Sequence, residues 1–397
     1  MNRRTFLGAT AGALAAAPAK KTVAAIVTAY YPRSHADVIC SRIFEGYSPE
    51  GVRTEPRTRI VSMYTDQVAP KDMSRDVSAR YGFKIWPTIA EALTLGTGRL
   101  AVDAVLFIGE HGNYSTNDRG QKLYPRYELF RQILDVLRKN GRAVPVFCDK
   151  HLSWSWRNAK EMYDWSRELR FPFTAGSSIP LTVRVPELEF PLDVPIEHAV
   201  SVGYGDLDAY GFHTLETLQC MVERRRGAEQ GIAAVELLEG DAVWKWRDGP
   251  GRWSAPLLDA ALATAPDNKP GRPEDNAKRP AVFLLEYRDG FQAASYMLEG
   301  HNRAFLFAAR VKGRPEPAAS HFGLVTPGRD LPHFDGLVDC IEKMFVTGKP
   351  VNPVERTLLT TGALSFLFES RARRERIATP ELDVRYRAPQ RAYFQKT

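Results

Sequence analysis

The chain has 397 residues, 25% of them charged and 44% hydrophobic, with a formal net charge of +7. That is the balance of a soluble globular protein long enough for two hydrophobic cores. The positive excess is scattered over many arginines with no basic run interleaved with aromatics, so nucleic acid is not an expected partner. Four cysteines stand singly at Cys40, Cys148, Cys220 and Cys340; this excludes a dense disulfide framework and the paired spacing of a structural zinc site.

Residues 1–19 read as a leader. Arg3-Arg4 precedes Thr5-Phe6-Leu7, a short Ala/Gly-rich apolar stretch follows, and Ala17-Pro18-Ala19 has the small residues of a cleavage site. This pattern predicts a twin-arginine signal peptide and export to the periplasm or otherwise out of the cytoplasm. The apolar stretch falls short of the roughly 20 residues that span a bilayer, so no stable membrane span is expected in the mature chain. An export route for folded chains also points to a cofactor loaded beforehand.

From Lys21 the pattern alternates. Strands are expected at 22–28, 58–64, 101–108 and 143–148, with helices at 34–44, 74–81, 88–95 and 124–140. Apolar runs of strand length between helices predict a Rossmann-like, doubly wound parallel sheet over residues 20–156. Residues 157–397 then predict an α+β domain with an open, largely antiparallel or mixed sheet. Its strands are expected at 196–202, 232–246, 281–287, 291–298 and 303–311, with a helix at 210–225. The polar stretch 267–280 reads as a surface loop, and 331–346 and 354–370 as two closing helices.

Chemistry concentrates at the ends of the predicted strands, where open α/β sheets bind ligands. The run Val144–Phe147 ends in Cys148-Asp149-Lys150-His151, and the strand before it ends in Gly109-Glu110-His111. Glu110, His111, Asp149 and His151 are ligand types that suit zinc or manganese, but their spacing follows no recognised signature and no metal is expected. Trp154, Trp156, Tyr204 and Tyr210 could stack on a sugar ring or simply fill the core.

The order of these elements resembles the Gfo/Idh/MocA oxidoreductases, over nearly the whole mature chain. Val102-Asp103-Ala104-Val105 and Cys148-Asp149-Lys150 are similar to that family's Asp-Ala-Val strand and Glu-Lys-Pro motif. Gly211-Phe212-His213 is similar to its Gly-x-His motif, and Ser201–Gly205 to the turn before it. The resemblance implies NAD or NADP as cofactor, a sugar or cyclitol as substrate, and an open second sheet that serves as a homo-oligomer face. It further implies Lys150 between nicotinamide and substrate, His213 as the acid/base and Asp208 beside it. Cofactor contacts would come from Ala29, Tyr30, Arg33 and Ser34 at the first turn, Asp66 toward the ribose, and Glu110, His111, Asp149 and Lys150 at the strand ends.

The sequence departs from that pattern in its most diagnostic motif. The Gly-x-Gly-x-x-Gly turn lets backbone amides approach a pyrophosphate, yet the matching residues are Val27, Ala29 and Pro32. The motif proline is His151, and the aspartate expected four residues before His213 is Ala209, with Asp208 displaced by one. The expectation is an exported oxidoreductase or redox-neutral enzyme with a tightly held cofactor. The alternative is a non-catalytic carbohydrate-binding or interaction protein on the same fold.

Overall fold

The structure, a computed structural model, describes residues 19–325, 328 and 330–396. The first eighteen residues, and with them the Arg3-Arg4 motif, lie outside the described residues. The first half alternates β1 (Lys21–Ala29), α1 (His35–Glu45), β2 (Thr58–Gln67), α2 (Ser74–Tyr81), β3 (Lys84–Ile85), α3 (Ile89–Thr94), β4 (Ala104–Ile108), α4 (Arg126–Asn140), β5 (Val146–Asp149), α5 (Trp156–Glu168) and β6 (Phe173–Gly176). These strands form one parallel sheet in the order β3-β2-β1-β4-β5-β6. It is the expected doubly wound architecture, its topological switch lying between β1 and β4. The sheet extends past residue 156, because α5 and β6 add a further crossover and strand.

Residues Val23 to Val27 are completely buried, since a parallel strand with helices on both faces has no solvent side. One face packs on α3 and α4, and the other on α1 and a C-terminal helix, α10 below.

The second half runs β7 (Val183–Val185), β8 (Ile196–Gly203), α6 (Ala209–Val222), β9 (Ile232–Glu239), α7 (Asp241–Asp248), α8 (Ala255–Leu262), α9 (Pro273–Asn276), β10 (Ala281–Tyr287), β11 (Gln292–Met297), β12 (Phe305–Val311), β13 (Ala318–Gly323), α10 (His333–Thr347), α11 (Val354–Arg373) and β14 (Ile377–Ala378). Its eight-stranded sheet is ordered β14-β9-β10-β11-β8-β12-β13-β7 and is mixed, β8 and β11 being its parallel pair. The expected single strand at 232–246 is instead β9 and α7, because Gly240 at φ 63° turns the chain and starts the helix.

Two placements differ from expectation in ways that matter. On β8, Val200 and Val202 point away from α6 and are covered by Leu257, Leu258 and Ala261 of α8, with Tyr296 and Leu306 beside them. The sheet face expected to be open is therefore partly roofed by the chain's own helices, and Trp253 stacks on His198 with ring centroids 4.5 Å apart. Helix α10 returns to the first sheet. Its Leu337, Val338 and Ile341 share a core with Val23, Ala25 and Leu106, and Asp335 pairs with Arg42 at 2.6 Å.

Candidate active site between the two sheets

The carboxyl ends of β1, β4, β5 and β6 meet the start of α6 in one cleft. At the end of β4, Glu110 is 3% exposed and its carboxylate accepts from two cations, Lys150 Nζ at 3.1 Å and Arg126. Arg126 opens α4 and is fully buried; its other terminal nitrogen lies 3.1 Å from His151 Nε2. An arginine only donates, so His151 Nε2 accepts and the ring proton sits on Nδ1, which is buried with no hydrogen-bond partner. Two of the residues at these strand ends, His111 (φ 70°) and Lys150 (φ 60°), hold left-handed backbone conformations. Such strain costs about 1–3 kcal/mol each and gathers at functional sites.

The charges explain how buried groups stay ionised. Burial alone pushes the Glu110 carboxyl up, but the Lys150 and Arg126 cations outweigh it and hold it well below the usual carboxylate range. Burial likewise favours a neutral Lys150, yet the Glu110 and Asp149 carboxylates outweigh it and hold the amine above its ordinary value. Burial, reinforced by the Arg126 charge, keeps the His151 ring far below the usual histidine value.

A cavity of about 260 Å³ opens beside this network, lined by Glu110, Thr116, Lys122, Tyr124, His151, Asp206 and Asp208. Asp208 is buried; one carboxylate oxygen accepts from the Lys122 amide at 2.7 Å and the other has no partner. Burial pushes its pKa up to about 6. The cavity thus has an unpartnered donor on His151 and an unpartnered acceptor on Asp208 among its lining residues.

His213 sits on the first turns of α6, 9% exposed. Its Nδ1 is 3.0 Å from Ser177 Oγ, and Ser177 donates to Glu216 at 2.5 Å. Burial and the nearby Lys150 charge keep the ring well below the ordinary histidine pKa. Helix α6 packs tightly because Gly203 lets β8 approach; a Cβ there would stand 1.9 Å from Thr214 Oγ1.

The residues expected to hold a dinucleotide are also placed, and they are already engaged within the chain. Ala29 and Tyr30 are buried. At the N-terminus of α1, where a pyrophosphate would need free amides, the Arg33 N–H donates to the Asp37 carboxylate at 2.7 Å. Ser34 Oγ accepts from the Tyr31 and Asp37 amides, both at 3.2 Å. The Arg33 guanidinium pairs with Asp330 at 3.0 Å. Asp66 accepts from the Tyr64 and Tyr114 hydroxyls at 2.9 and 2.6 Å. His35 is 2.7 Å from Asp149, and its ring packs on His111 and Phe334. The phosphate turn is thus filled by the chain's own side chains, one of them an acid.

Among the described residues, no three His, Cys, Asp or Glu side chains come together as a metal group, and no helix is long and apolar enough to cross a membrane. Tyr204 and Tyr210 pack on one another and on Phe305, and Trp156 against Phe366. The site residues that sequence reasoning missed are Arg126, His35, Ser177 and Glu216. Glu216 was within reach of it, since it stands three residues from His213 on one helix face; the other three come from distant segments.

No protein-family model and no curated protein matches the sequence. Solved structures do. GenD2 of gentamicin A biosynthesis, solved with NAD, is similar at a TM-score of 0.56 and 12% identity, over 90% of this chain and 96% of that one. Apo scyllo-inositol dehydrogenase from Lactobacillus casei gives 0.54 and 9%, over 90% and 98%. Myo-inositol 2-dehydrogenase from Lactobacillus plantarum gives 0.53 and 9%, over 91% and 99%. The six-stranded parallel sheet followed by the mixed sheet is the two-domain fold of the Gfo/Idh/MocA oxidoreductases, and this chain has that fold.

Proposed function

We propose that this chain is an enzyme that binds a sugar or cyclitol in the cleft and oxidises it at one of its hydroxyls. The observation that carries this reading is the pairing of an unpartnered donor, His151 Nδ1, with an unpartnered acceptor, Asp208 Oδ1, around one cavity. Buried polar groups are otherwise almost always satisfied, and the hydroxyls of a polyol supply both acceptors and donors. At about 260 Å³ the cavity lies below the range of roughly 300–1,000 Å³ typical of drug-sized ligands, which suits a small polyol.

In this mechanism His213, which does not itself line the cavity but stands near enough to Lys150 and Glu110 to feel both charges, is the base. It is neutral, and its Nε2 takes the hydroxyl proton. The Lys150 ammonium, held charged by Glu110, offsets the negative charge that develops on the substrate oxygen. Asp208 and His151 orient the neighbouring hydroxyls. The hydride lost from the same carbon would need a nicotinamide acceptor, which Glu110, Asp149 and Lys150 at the strand ends would flank; the α1 turn, engaged by Ser34, Asp37 and His35, would have to open to admit it. The Arg3-Arg4 leader supports an exported enzyme.

Thermal-shift and calorimetric titration with hexoses and inositols tests the binding step. Wild type is expected to bind at least one of them, and Asp208→Asn to weaken it by roughly 10-fold or more, the loss of a hydrogen bond to a charged group. Equal binding by both proteins would sink the assignment of this cavity. A non-catalytic carbohydrate-binding protein is the second reading, favoured by the ion pairing that already engages Lys150; it predicts binding with no product.

A further inference from the structure

Helix α6 carries His213 and Glu216 three residues apart, and both reach Ser177, which follows β6. The distances are 3.0 Å from His213 Nδ1 to Ser177 Oγ and 2.5 Å from Ser177 Oγ to Glu216 Oε2, and Glu216 also accepts from the Ser177 amide at 3.0 Å. We propose that His213, Ser177 and Glu216 form a proton relay, with Glu216 as the final acceptor of the proton that His213 removes in the cleft. This rests on the reading of His213 as the base.

The hydrogen-bond directions support it. With Glu216 ionised, the single Ser177 hydroxyl proton goes to the carboxylate, leaving only lone pairs for the histidine. His213 must then carry its proton on Nδ1 and present a free lone pair on Nε2. When the substrate O–H bond breaks, its proton bonds to Nε2. The Nδ1 proton passes to Ser177 Oγ, and the hydroxyl proton passes to Glu216 Oε2. The substrate keeps the electron pair as an alkoxide and Glu216 ends neutral; these proton transfers by themselves oxidise and reduce nothing.

The surroundings call for such a device. Burial, with the Lys150 cation, His35 and His333, disfavours an imidazolium at His213 and outweighs the Glu110 carboxylate, which favours one. Passing the proton on keeps the ring neutral. Glu216 is faced by Arg356 of α11 and Asp149 of β5, and burial pushes it up to about 7, where a carboxylate accepts protons near neutral pH. Arg356 is itself engaged by Glu223 at 2.8 and 2.5 Å.

Two further features belong to the same end of the relay. Gly176, at φ 124°, is required there, since a Cβ would stand 2.7 Å from Glu216 Oε1. A cavity of about 30 Å³ beside it is lined by Ser177, Glu216, Arg356 and Thr357. That is room for a water, which needs roughly 10–15 Å³ on this measure, to receive the proton onward.

The test is ¹⁵N-histidine NMR of the full mature chain against pH, in wild type, Glu216→Gln and Ser177→Ala. In wild type the His213 ring is expected to stay neutral with its proton on Nδ1, and its shifts to report a titration with a midpoint near 7 from Glu216. Glu216→Gln is expected to keep the tautomer and lose the midpoint. Ser177→Ala, which leaves Glu216 in place, is expected to uncouple the ring from the titration. A midpoint that survives Glu216→Gln, or a His213 ring that itself charges near its ordinary value, overturns the relay. With sugar binding intact, that outcome counts against the relay alone; absence of any binding counts against the function.

Discussion

His35 Nδ1 lies 2.7 Å from Asp149 Oδ2, tying the first turn of α1 to the last residue of β5. Because β1 and β5 flank β4, this pair crosses the switch point at which related folds hold a dinucleotide. Together with the Arg33–Asp37 and Ser34 contacts, it makes the turn self-satisfied. Acid denaturation of protein purified without residues 1–19 is therefore expected to release no stoichiometric NAD(H) or NADP(H), and millimolar NAD to raise Tm only slightly. Stoichiometric nucleotide would show that the turn opens.

The Glu110 carboxylate holds two cations, and removing one leaves the acid with Arg126 alone. Lys150→Met is expected to cost about 3 kcal/mol in urea unfolding, as breaking a buried pair does. Glu110→Gln removes the charge they share and yields a pH signature. The folded-state pKa of Glu110 is depressed, so its contribution is present above its ordinary value of 4.5 and is lost as pH falls below it. Wild type is expected to lose Tm more steeply than Glu110→Gln below that pH.

Glu216 gives the opposite sign. Its folded-state pKa is raised to about 7, so the native state binds more protons than the unfolded chain between 4.5 and 7. Its stabilising contribution is complete below 4.5 and falls away through 7. Glu216→Gln should therefore have a higher Tm than wild type at pH 8, with the gap closing toward pH 5. A gap independent of pH would show that Glu216 does not titrate there.

Leu258 of α8 is 1% exposed and packs on the outward face of β8 and β12. Leu258→Ala is expected to cost about 2–5 kcal/mol. Leu258→Asp should lift α8 and expose Val200, Val202 and Leu306, seen as new dye binding and association in light scattering. A variant as stable and monodisperse as wild type would mean that α8 adds little to the sheet.

The parallel sheet was legible because buried parallel strands such as Val23–Val27 are unbroken apolar runs. Strand β6 was not, since Phe173-Thr174-Ala175-Gly176 is short and half polar, nor was α5, which buries only Ala159, Met162 and Ser166. In the second domain, Gly240 split an apolar stretch that reads as a single strand. Lys150, Glu110 and His111 could be found because titratable groups ending an apolar strand mark a sheet's binding edge. Ser177 lies 39 residues from Glu216, and Arg126 lies 16 from Glu110; only folding brings such partners together. The filled phosphate turn was half legible: the missing glycines were visible, but the His35–Asp149 bond that spans it was not.

The most direct test incubates wild type and His213→Gln with hexoses and inositols, with and without added NAD, and follows product by ¹H NMR beside calorimetric binding. The expected result is product from wild type once NAD is supplied, and binding without product from His213→Gln. Product formed equally by both proteins, or sugar bound by wild type with no product when NAD or NADP is supplied, would contradict it.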